Sequence, residues 1–433
     1  MTDGSATGRR KAAFGFIFAT AIMNSLSFGI MIPVLPNLIK SFAHGDPAHA
    51  TSQAAAWTAV FATTWGLMQF FVGPILGQLS DRFGRRPVML ISIFGLGVDF
   101  LFMAFAPTLA LLFVGRVLNG MTAASFSTAN AYVADVTPPE RRARNFGLMG
   151  SAFSFGFLIG PALGGALTKF TLHTPFFDIG GLRLPFIVAA ALCLVNWVYG
   201  YFILPESLAP ERRIKTFRWA KANPVGSLIF LRDHGELLGL AGVNFLFQLA
   251  HNVLPAVFVL YAGYRYGWGP DIVGLTMMGS GALGIIVQVF LVGPVVARIG
   301  ERGAVLLGGL AGTLGFAIYG LADKGWIYLA AMPVFALMSF MPPGLNALMS
   351  RRVEPQAQGQ LQGANQSMQG ISSVVGPTIF GLTFAWAVAH DATLHLPGLP
   401  ILMAAGLMLI AFLIALRTAR PVPAPEPVPA PAE

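Results

Sequence analysis

Twelve long apolar runs alternate with short polar segments along this 433-residue chain. A helix needs about 20 apolar residues to cross the hydrocarbon core of a bilayer, and each run approaches or exceeds that length. We number the predicted spans 1 to 12, and they cover roughly 13–39, 54–76, 88–106, 108–134, 146–168, 185–204, 237–262, 271–297, 304–322, 326–349, 361–388 and 397–416. The pattern predicts an all-α membrane protein.

Landmarks recur between the first six spans and the last six. The Gly-Pro step at 73–74 returns 220 positions later at 293–294, and the one at 160–161 returns 216 positions later at 376–377. Two six-helix bundles with a weak repeat are the plan of a transporter whose substrate cavity lies between the halves. The predicted organisation is an N-terminal segment (1–12), an N-terminal bundle (13–204), a linker (205–236), a C-terminal bundle (237–416) and a disordered Pro-rich tail (417–433).

The composition excludes an ordinary soluble enzyme. Only 10% of the residues are charged and the mean hydropathy is +0.69, whereas soluble domains carry about 25% charged residues. The sequence contains no phosphate-binding loop, no set of metal ligands at suitable spacing and no nucleophile–base set. We therefore expect no catalysis, no cofactor and no bound metal. Cys193 is the single cysteine, so no internal disulfide can form.

The net charge of +9 reflects topology rather than a ligand. Of the 27 Lys and Arg residues, 21 fall on one side of the predicted membrane. Cytoplasmic loops carry such an excess of positive charge, so both termini are predicted to be cytoplasmic. No nucleic-acid partner is expected.

A charged loop between spans 2 and 3 (residues 77–87, Gly-Gln-Leu-Ser-Asp-Arg-Phe-Gly-Arg-Arg-Pro) is the most distinctive polar segment. Its ion pairs and helix-end contacts are suited to holding one arrangement of the helices and releasing another. The alternative is a solvated loop kept in the cytoplasm by its positive charge. We predict gating residues here, at the end of span 4 and in the repeated loop after span 8: Gly77, Asp81, Arg82, Gly84, Arg85, Arg86, Asp135, Arg141, Glu301 and Arg302.

One acid lies at membrane depth. Asp99 falls near the middle of span 3, and Arg116 falls at a comparable depth in span 4. Charged residues inside a membrane are costly, so they are functional candidates by default. Burial raises the pKa of a carboxyl group and a nearby guanidinium lowers it, so the two effects oppose each other at this position. We predict that this pair takes part in proton coupling, with a static ion pair between helices as the alternative.

Span 5 contains small residues at four-residue spacing. Gly156, Gly160 and Gly164 share a helix face, and Pro161 follows the middle glycine. Proline removes a backbone hydrogen bond and bends a helix, while glycines allow close approach. These four residues are predicted to bend span 5, although the same spacing is a common packing device.

Other polar residues at depth are candidates for the substrate site. Amides are costly toward lipid, so they should face the interior. The predicted substrate-binding residues are Asn24, Gln69, Phe153, Gln248, Asn252, Gln362, Asn365, Gln366 and Gln369. Hydrogen bonding between helices is the alternative for each amide. His251 is predicted as a second titrating group, with a structural core histidine as its alternative.

The charged loop resembles the loop signature of major facilitator superfamily transporters, G-x-L-x-D-R-x-G-R-R-P, at every fixed position. The glycine–proline pattern of span 5 resembles the antiporter motif of the drug exporters in that superfamily. Further segments at 28–36, 115–135, 293–302 and 358–363 resemble the tetracycline/proton antiporters, and the likeness runs roughly from Phe14 to Leu416.

The resemblance implies proton-coupled efflux of amphipathic small molecules by alternating access, in the bacterial inner membrane, by a protein that we expect to be a monomer. In that family acids in helices 1, 3 and 9 are associated with proton coupling and drug transport. Asp99 occupies the helix 3 position, but Asn24 and Gly312 stand at the other two. The cargo therefore stays open. A transporter of a specific metabolite, such as a sugar or organic acid, and a non-transporting scaffold or sensor are the alternatives.

Overall fold

The computed structural model describes residues 3–122, 125–137, 139–173, 178–214, 235–354 and 357–419. Within these residues, ten helices are long and apolar enough to cross a membrane. One of them, Pro270–Leu321, contains two spans separated by a backbone turn at Gly300, where φ is 72°. Span 4 adds another, because it is divided into Leu109–Thr122 and Ser125–Val136. The described chain thus has twelve spans, as predicted.

The helices of the first six spans extend the predicted runs at several ends. They cover Asp3–Met31 with Leu35–Lys40, Pro47–Phe83, Arg85–Phe105, Leu109–Thr122 with Ser125–Val136, Pro139–Leu167, and Leu184–Ile203. The sequence analysis did not predict the one sheet among the described residues. It is an antiparallel hairpin of two strands, Thr171–His173 and Asp178–Gly180, in the connection between spans 5 and 6.

Among the last six spans, spans 7, 8 and 10 are interrupted, and a turn at Gly300 separates spans 8 and 9. Span 7 comprises Gly235–His251 and Val253–Tyr266. Span 8 comprises Pro270–Ile286, the π-helical turn Val287–Leu291 and the part of Val292–Leu321 before Gly300, and span 9 is the part after Gly300. Span 10 comprises Gly325–Ala336, the 3-10 turn Leu337–Phe340 and Met341–Ser350, span 11 is Gln358–Ala389, and span 12 is Leu399–Thr418. A short helix, Asp391–Leu394, follows span 11.

The twelve spans pack as two halves. In the N-terminal half, span 1 packs on spans 5 and 6, and span 3 packs on span 6. In the C-terminal half, span 12 packs on spans 7 and 9, and span 7 packs on span 11. The halves meet mainly where span 2 lies along span 11 and where span 5 lies along span 8.

The halves are in close contact at the end of the molecule away from the charged loop. The Ser52 hydroxyl donates to the carbonyl of Ala385 over 2.8 Å. Lys169 of span 5 pairs with Asp271 of span 8, with 2.7 Å between nitrogen and oxygen. Gly274 packs directly on the backbone of span 5, so a side chain there would collide with that helix. Backbones this close leave no passage between spans 5 and 8 at this end.

The opposite end contains the charged loop, and we call it the loop end. A Cβ atom added at Gly73 or Gly77 of span 2 would meet no other atom within 4 Å, and the same holds at Gly147 and Gly150 of span 5 and at Gly284 of span 8. The contacts described between the halves are therefore closest at the end away from the charged loop, and these glycines of spans 2, 5 and 8 border open space.

Two predictions fall largely outside the described residues. Within the predicted linker, residues 205–214 are mostly extended and contain one 3-10 turn, Pro210–Arg212. Residues 215–234 and the tail from 420 onward lie outside the described part of the chain.

Candidate transport site

Asp99 and Arg116 form an ion pair inside the N-terminal half. The distance from Arg116 Nη2 to Asp99 Oδ2 is 2.9 Å, and the two residues are 1% and 4% exposed. Gly115 brings the two helices together here, since a Cβ at that position would lie 2.7 Å from the Cβ of Phe102. The Met31 sulfur accepts a further contact from Arg116 Nη2 at 3.0 Å. The two charges are thus enclosed by spans 1, 3 and 4.

This ion pair is only half satisfied. Oδ1 of Asp99 and Nε of Arg116 are buried and have no hydrogen-bond partner among the described residues. Removing two charges from water is costly, and the mutual attraction offsets that cost only when the remaining polar atoms are also paired. Protonation of Asp99 would cancel the attraction and leave Arg116 without its counterion. The arrangement is therefore suited to converting proton binding into a movement of spans 3 and 4.

Two cavities lie between helices of this structure near the contact of the halves. The larger cavity lies between spans 7, 8 and 10, with Ile32 and Phe157 contributed by the N-terminal half. Its volume is about 490 Å³, within the usual range for small-molecule sites. Most of its wall is apolar. The polar side chains on the wall are His251, Thr276, Ser280, Tyr328 and Ser339. An apolar pocket with a few polar groups fits an amphipathic molecule.

A second cavity of about 350 Å³ lies between spans 2 and 11. Gln69 and Gln366 face it from opposite halves, together with Phe70 and Ser373. It lies on the loop side of the contact between Thr63 and Thr378, whose hydroxyls are 2.6 Å apart. Two of the predicted substrate residues therefore share one cavity.

Two other predicted substrate residues, Asn24 and Phe153, do not line this second cavity. Asn24 is 2% exposed inside the N-terminal half, where its Oδ1 accepts from Nδ2 of Asn196 at 3.4 Å. It lines neither cavity. Phe153 stacks on Phe157, a residue of the larger cavity, with ring centroids 6.1 Å apart.

The amides of spans 7 and 11 divide into two groups. Asn365 faces span 7, because its Oδ1 accepts from Nδ2 of Asn244 at 3.1 Å. The other three predicted residues of span 11 are exposed, so the predicted single stripe is split: Gln362, Gln366 and Gln369. At the break in span 7, Nδ2 of Asn252 donates to the backbone carbonyl of Gln248 at 2.8 Å.

His251 lies at the same break and belongs to the wall of the larger cavity. Its ring stacks on Phe247, with centroids 5.8 Å apart and an interplanar angle of 18°. It lies in the half that does not contain Asp99. The structure thus places this histidine on the wall of a cavity and away from the ion pair of the other half.

The charged loop makes its ion pairs within the N-terminal half. Arg85 pairs with Asp81 at 2.5 Å and with Asp135, at the end of span 4, at 3.2 Å. In the C-terminal half the repeated loop also makes its ion pair within its own half, since Glu301 pairs with Arg351 at 2.6 Å. None of the ion pairs found in the described residues joins the two halves at the loop end.

Glu206 anchors the charged loop, and sequence reasoning missed it. Its two carboxylate oxygens accept from the backbone N–H groups of Arg85 at 2.8 Å and Arg86 at 3.2 Å. Gly84 makes this contact possible, because its φ of 108° suits glycine and a side chain there would collide with Glu206. A carboxylate at the positive end of span 3 stabilises the helix. In the sequence, only the position of Glu206 directly after span 6 and Pro205 could have indicated this role.

The remaining predicted gating residues lie at the helix ends around this loop. Arg86 Nη2 donates to the carbonyl of Tyr201 at 2.6 Å, and Arg302 Nη2 donates to that of Leu416 at 3.1 Å. These contacts place positive charge at the ends of spans 6 and 12. Arg82 lies over the ring of Phe83 at 5.3 Å. Arg141 is exposed.

The glycines of span 5 pack against span 1. A side chain at Gly160 would lie 2.6 Å from the Cα of Gly29, and side chains at Gly156 or Gly164 would also collide with the span 1 backbone. Pro161 lies within the continuous helix Pro139–Leu167 and contacts Gly29 on one side and Gly274 of the other half on another. These residues therefore form a contact among spans 1, 5 and 8, and the bending of span 5 stays a prediction.

The sequence pattern of the Major Facilitator Superfamily matches residues 17–377 and, in a second match, 240–433. The chain belongs to the major facilitator superfamily. A class C tetracycline resistance protein of Escherichia coli is 36% identical over 85% of this chain and 89% of its own length. A class G tetracycline resistance protein of Vibrio anguillarum is 34% identical over 88% of this chain and 94% of its own. These relatives confirm the resemblance to the tetracycline efflux proteins.

Solved structures share the superfamily fold at low identity. The human organic anion transporter MFSD10 (TETRAN) has a TM-score of 0.66 and 20% identity, with 94% of this chain and 99% of that one covered. An auto-inhibited POT family peptide transporter has a TM-score of 0.70 and 14% identity, with 96% and 99% covered. Together they confirm the predicted fold of two six-helix bundles in a multi-pass membrane protein.

Proposed function

We propose that this chain exports amphipathic small molecules from a bacterial cell in exchange for protons, by alternating access across the inner membrane. Tetracycline resistance proteins are relatives over most of both lengths, and efflux in exchange for protons is the activity that this kinship supports. The loop end would face the cytoplasm, where the excess of Lys and Arg belongs, and both termini would lie there too.

The observation that carries the proposal is the half-satisfied ion pair of Asp99 and Arg116, 2.9 Å apart and almost completely buried. A buried carboxylate that meets only one guanidinium is a place where a single proton changes the balance of forces between helices. The apolar cavity between spans 7, 8 and 10 supplies a separate place for cargo. Proton and cargo would therefore bind in different halves and act on each other through the arrangement of the spans.

The experiment uses a panel of drugs, including tetracycline and ethidium. Purified protein in weakly buffered detergent solution should release protons when a transported drug is added, and expression in a pump-deficient bacterial host should raise resistance to the same drug. Release of protons by a sugar or an organic acid, and by no drug, would favour a metabolite transporter. A chain that gives neither proton release nor substrate-dependent flux in proteoliposomes would be a scaffold or a sensor.

A further inference from the structure

The wall of the larger cavity offers no negative charge. Among the described residues that line it, none is Asp, Glu, Lys or Arg, and its polar side chains are hydroxyl groups and the imidazole of His251. An imidazole is either neutral or positive, and a tyrosine hydroxyl is uncharged near neutral pH. A cation inside this cavity would therefore meet no group on the wall that neutralises it.

The acids in the surrounding spans are already paired. Asp271 begins span 8, five residues before Thr276 or about 7.5 Å along the helix, and its carboxylate lies 2.7 Å from Lys169. Asp99 pairs with Arg116 in the other half and lines neither cavity. Apart from these two residues, the twelve predicted spans contain no Asp or Glu. No unpaired carboxylate of the spans is left for a cationic drug.

Aromatic rings can replace a counter-charge when a cation lies over their faces, which carry partial negative charge. Three rings of this wall already lie against other rings. Tyr328 stacks on Tyr319 with centroids 3.8 Å apart and on Phe258 with centroids 5.2 Å apart, and Phe335 lies 5.0 Å from Tyr319. These rings therefore offer a cation less of their faces than free aromatic side chains would, while an aromatic molecule can still pack against their edges.

The hydroxyl groups of the wall suit neutral polar groups instead. Ser280 on span 8 and Ser339 on span 10 can each donate to a carbonyl or accept from a hydroxyl. The hydroxyl of Thr276 donates to the carbonyl of Ile272 at 2.8 Å, so it can accept a hydrogen bond from a drug. This combination fits an aromatic molecule with a few carbonyl or hydroxyl groups.

We infer that the larger cavity binds aromatic molecules without net positive charge and discriminates against permanent organic cations of the same shape. The inference rests on the proposed function, which makes this cavity the drug site. A cation that moves from water into the cavity loses its hydration and gains no counter-charge. A neutral aromatic molecule pays no such cost and gains from the burial of its apolar surface.

The test compares two fluorescent probes of nearly the same shape, acridine and the permanently positive N-methylacridinium. Binding to the purified full-length protein is measured in mildly alkaline buffer, where acridine is uncharged, with protein-free detergent micelles as the blank. The Kd of N-methylacridinium should exceed that of acridine by about tenfold or more, because an unpaired buried charge is costly. Equal or tighter binding of the cation, or no saturable binding of acridine, would overturn the inference.

Two serines on facing spans assign the discrimination to the wall. Ser280→Asp adds a carboxylate, and Ser280→Asn is the matched control because it adds nearly the same volume without charge. The Asp variant should bind N-methylacridinium about tenfold more tightly than the Asn variant, since a counter-charge then meets the cation, while acridine binds both alike. Ser339→Asp and Ser339→Asn repeat the comparison from span 10, so a folding defect at one position does not decide the result. Equal affinities of the Asp and Asn variants for the cation would place the discrimination outside this wall and overturn the assignment.

Transport measurements separate this inference from the proposed function. Proton-driven export of N-methylacridinium that exceeds export of acridine would leave the proposed function standing and refute the inference. Selective binding of acridine with no proton-driven flux of any drug would refute the proposed function and leave the binding preference of the cavity intact.

Discussion

Spans 3 and 4 of the N-terminal half and spans 9 and 10 of the C-terminal half occupy corresponding places in the repeat, but different chemistry holds each pair together. Between spans 3 and 4, Asp99 and Arg116 form a buried ion pair. Between spans 9 and 10, Tyr319 stacks on Tyr328 with ring centroids 3.8 Å apart, and its other neighbour is Phe335 at 5.0 Å. One contact depends on charge and the other on packed rings.

This difference assigns the two halves different tasks in the proposed cycle. The strength of an ion pair changes when one proton binds, whereas stacked rings hold the same geometry in either protonation state. Tyr328 and Phe335 also belong to the wall of the larger cavity. The N-terminal half would therefore respond to protons, and the C-terminal half would shape the pocket for the drug. Changes to each contact should separate coupling from recognition.

The largest effect is expected for Asp99→Asn, which keeps the side-chain shape and removes the ability to gain and lose charge. Uphill export of tetracycline from proteoliposomes with an imposed pH gradient should fall by about 100-fold or more, as when an acid–base group is removed. Exchange of tetracycline without a gradient should continue. Asp323→Asn, at an exposed carboxylate in the turn between spans 9 and 10, is the control. Full uphill export by Asp99→Asn would exclude this residue from coupling.

The next effect concerns stability. Arg116→Leu leaves the Asp99 carboxylate buried without a partner, so the free energy of unfolding in detergent should fall by about 3–5 kcal/mol. The loss should shrink at low pH, where Asp99 is neutral. The double variant Asp99→Leu/Arg116→Leu should recover most of the stability and still fail to couple transport to protons. If the double variant lost as much as the two single variants combined, the pair would have no measurable coupling energy.

The sequence alone predicted the spans, the repeat and the depth of Asp99 and Arg116. Hydropathy defines a membrane helix well because every backbone polar group must be satisfied within the span. Because each residue adds a fixed rise along an α-helix, the depth of a residue in the membrane can be counted along the sequence. The similar depths of Asp99 and Arg116 therefore followed from their distances to the turn between spans 3 and 4.

The direction in which a side chain points could not be predicted by counting residues in this way. Asn365 falls in one sequence stripe with three glutamines, yet it bonds to Asn244 on span 7 while the glutamines are exposed. Whether an amide faces a neighbouring helix or a cavity depends on helix rotation, which packing sets. Glu206 was missed for a related reason, since its partners are backbone N–H groups brought close by the chain reversal at Gly84.

In the C-terminal half, Phe335→Leu should change recognition without changing coupling. Loss of ring contacts worth about 1 kcal/mol should raise the KM for a transported drug by about fivefold, while the number of protons released per drug stays the same. Phe316→Leu is the matched control, because its ring lies 5.0 Å from Phe335 but outside the cavity wall. A change in proton release with Phe335→Leu would mean that the aromatic contact also takes part in coupling.

The smallest effect is expected for His251→Gln. His251 was predicted as a second titrating group, but its place on the cavity wall and its stacking on Phe247 favour contact with the drug. The variant should raise KM by about threefold, since the lost ring contact is worth less than about 1 kcal/mol beside an open cavity. His390→Gln is a close control, because this ring also lies against an aromatic residue four positions earlier, Trp386, with centroids 4.8 Å apart, and lies outside the cavity. A fall in protons released per drug with His251→Gln alone would restore the histidine as a proton carrier, and the division of tasks between the halves would no longer hold.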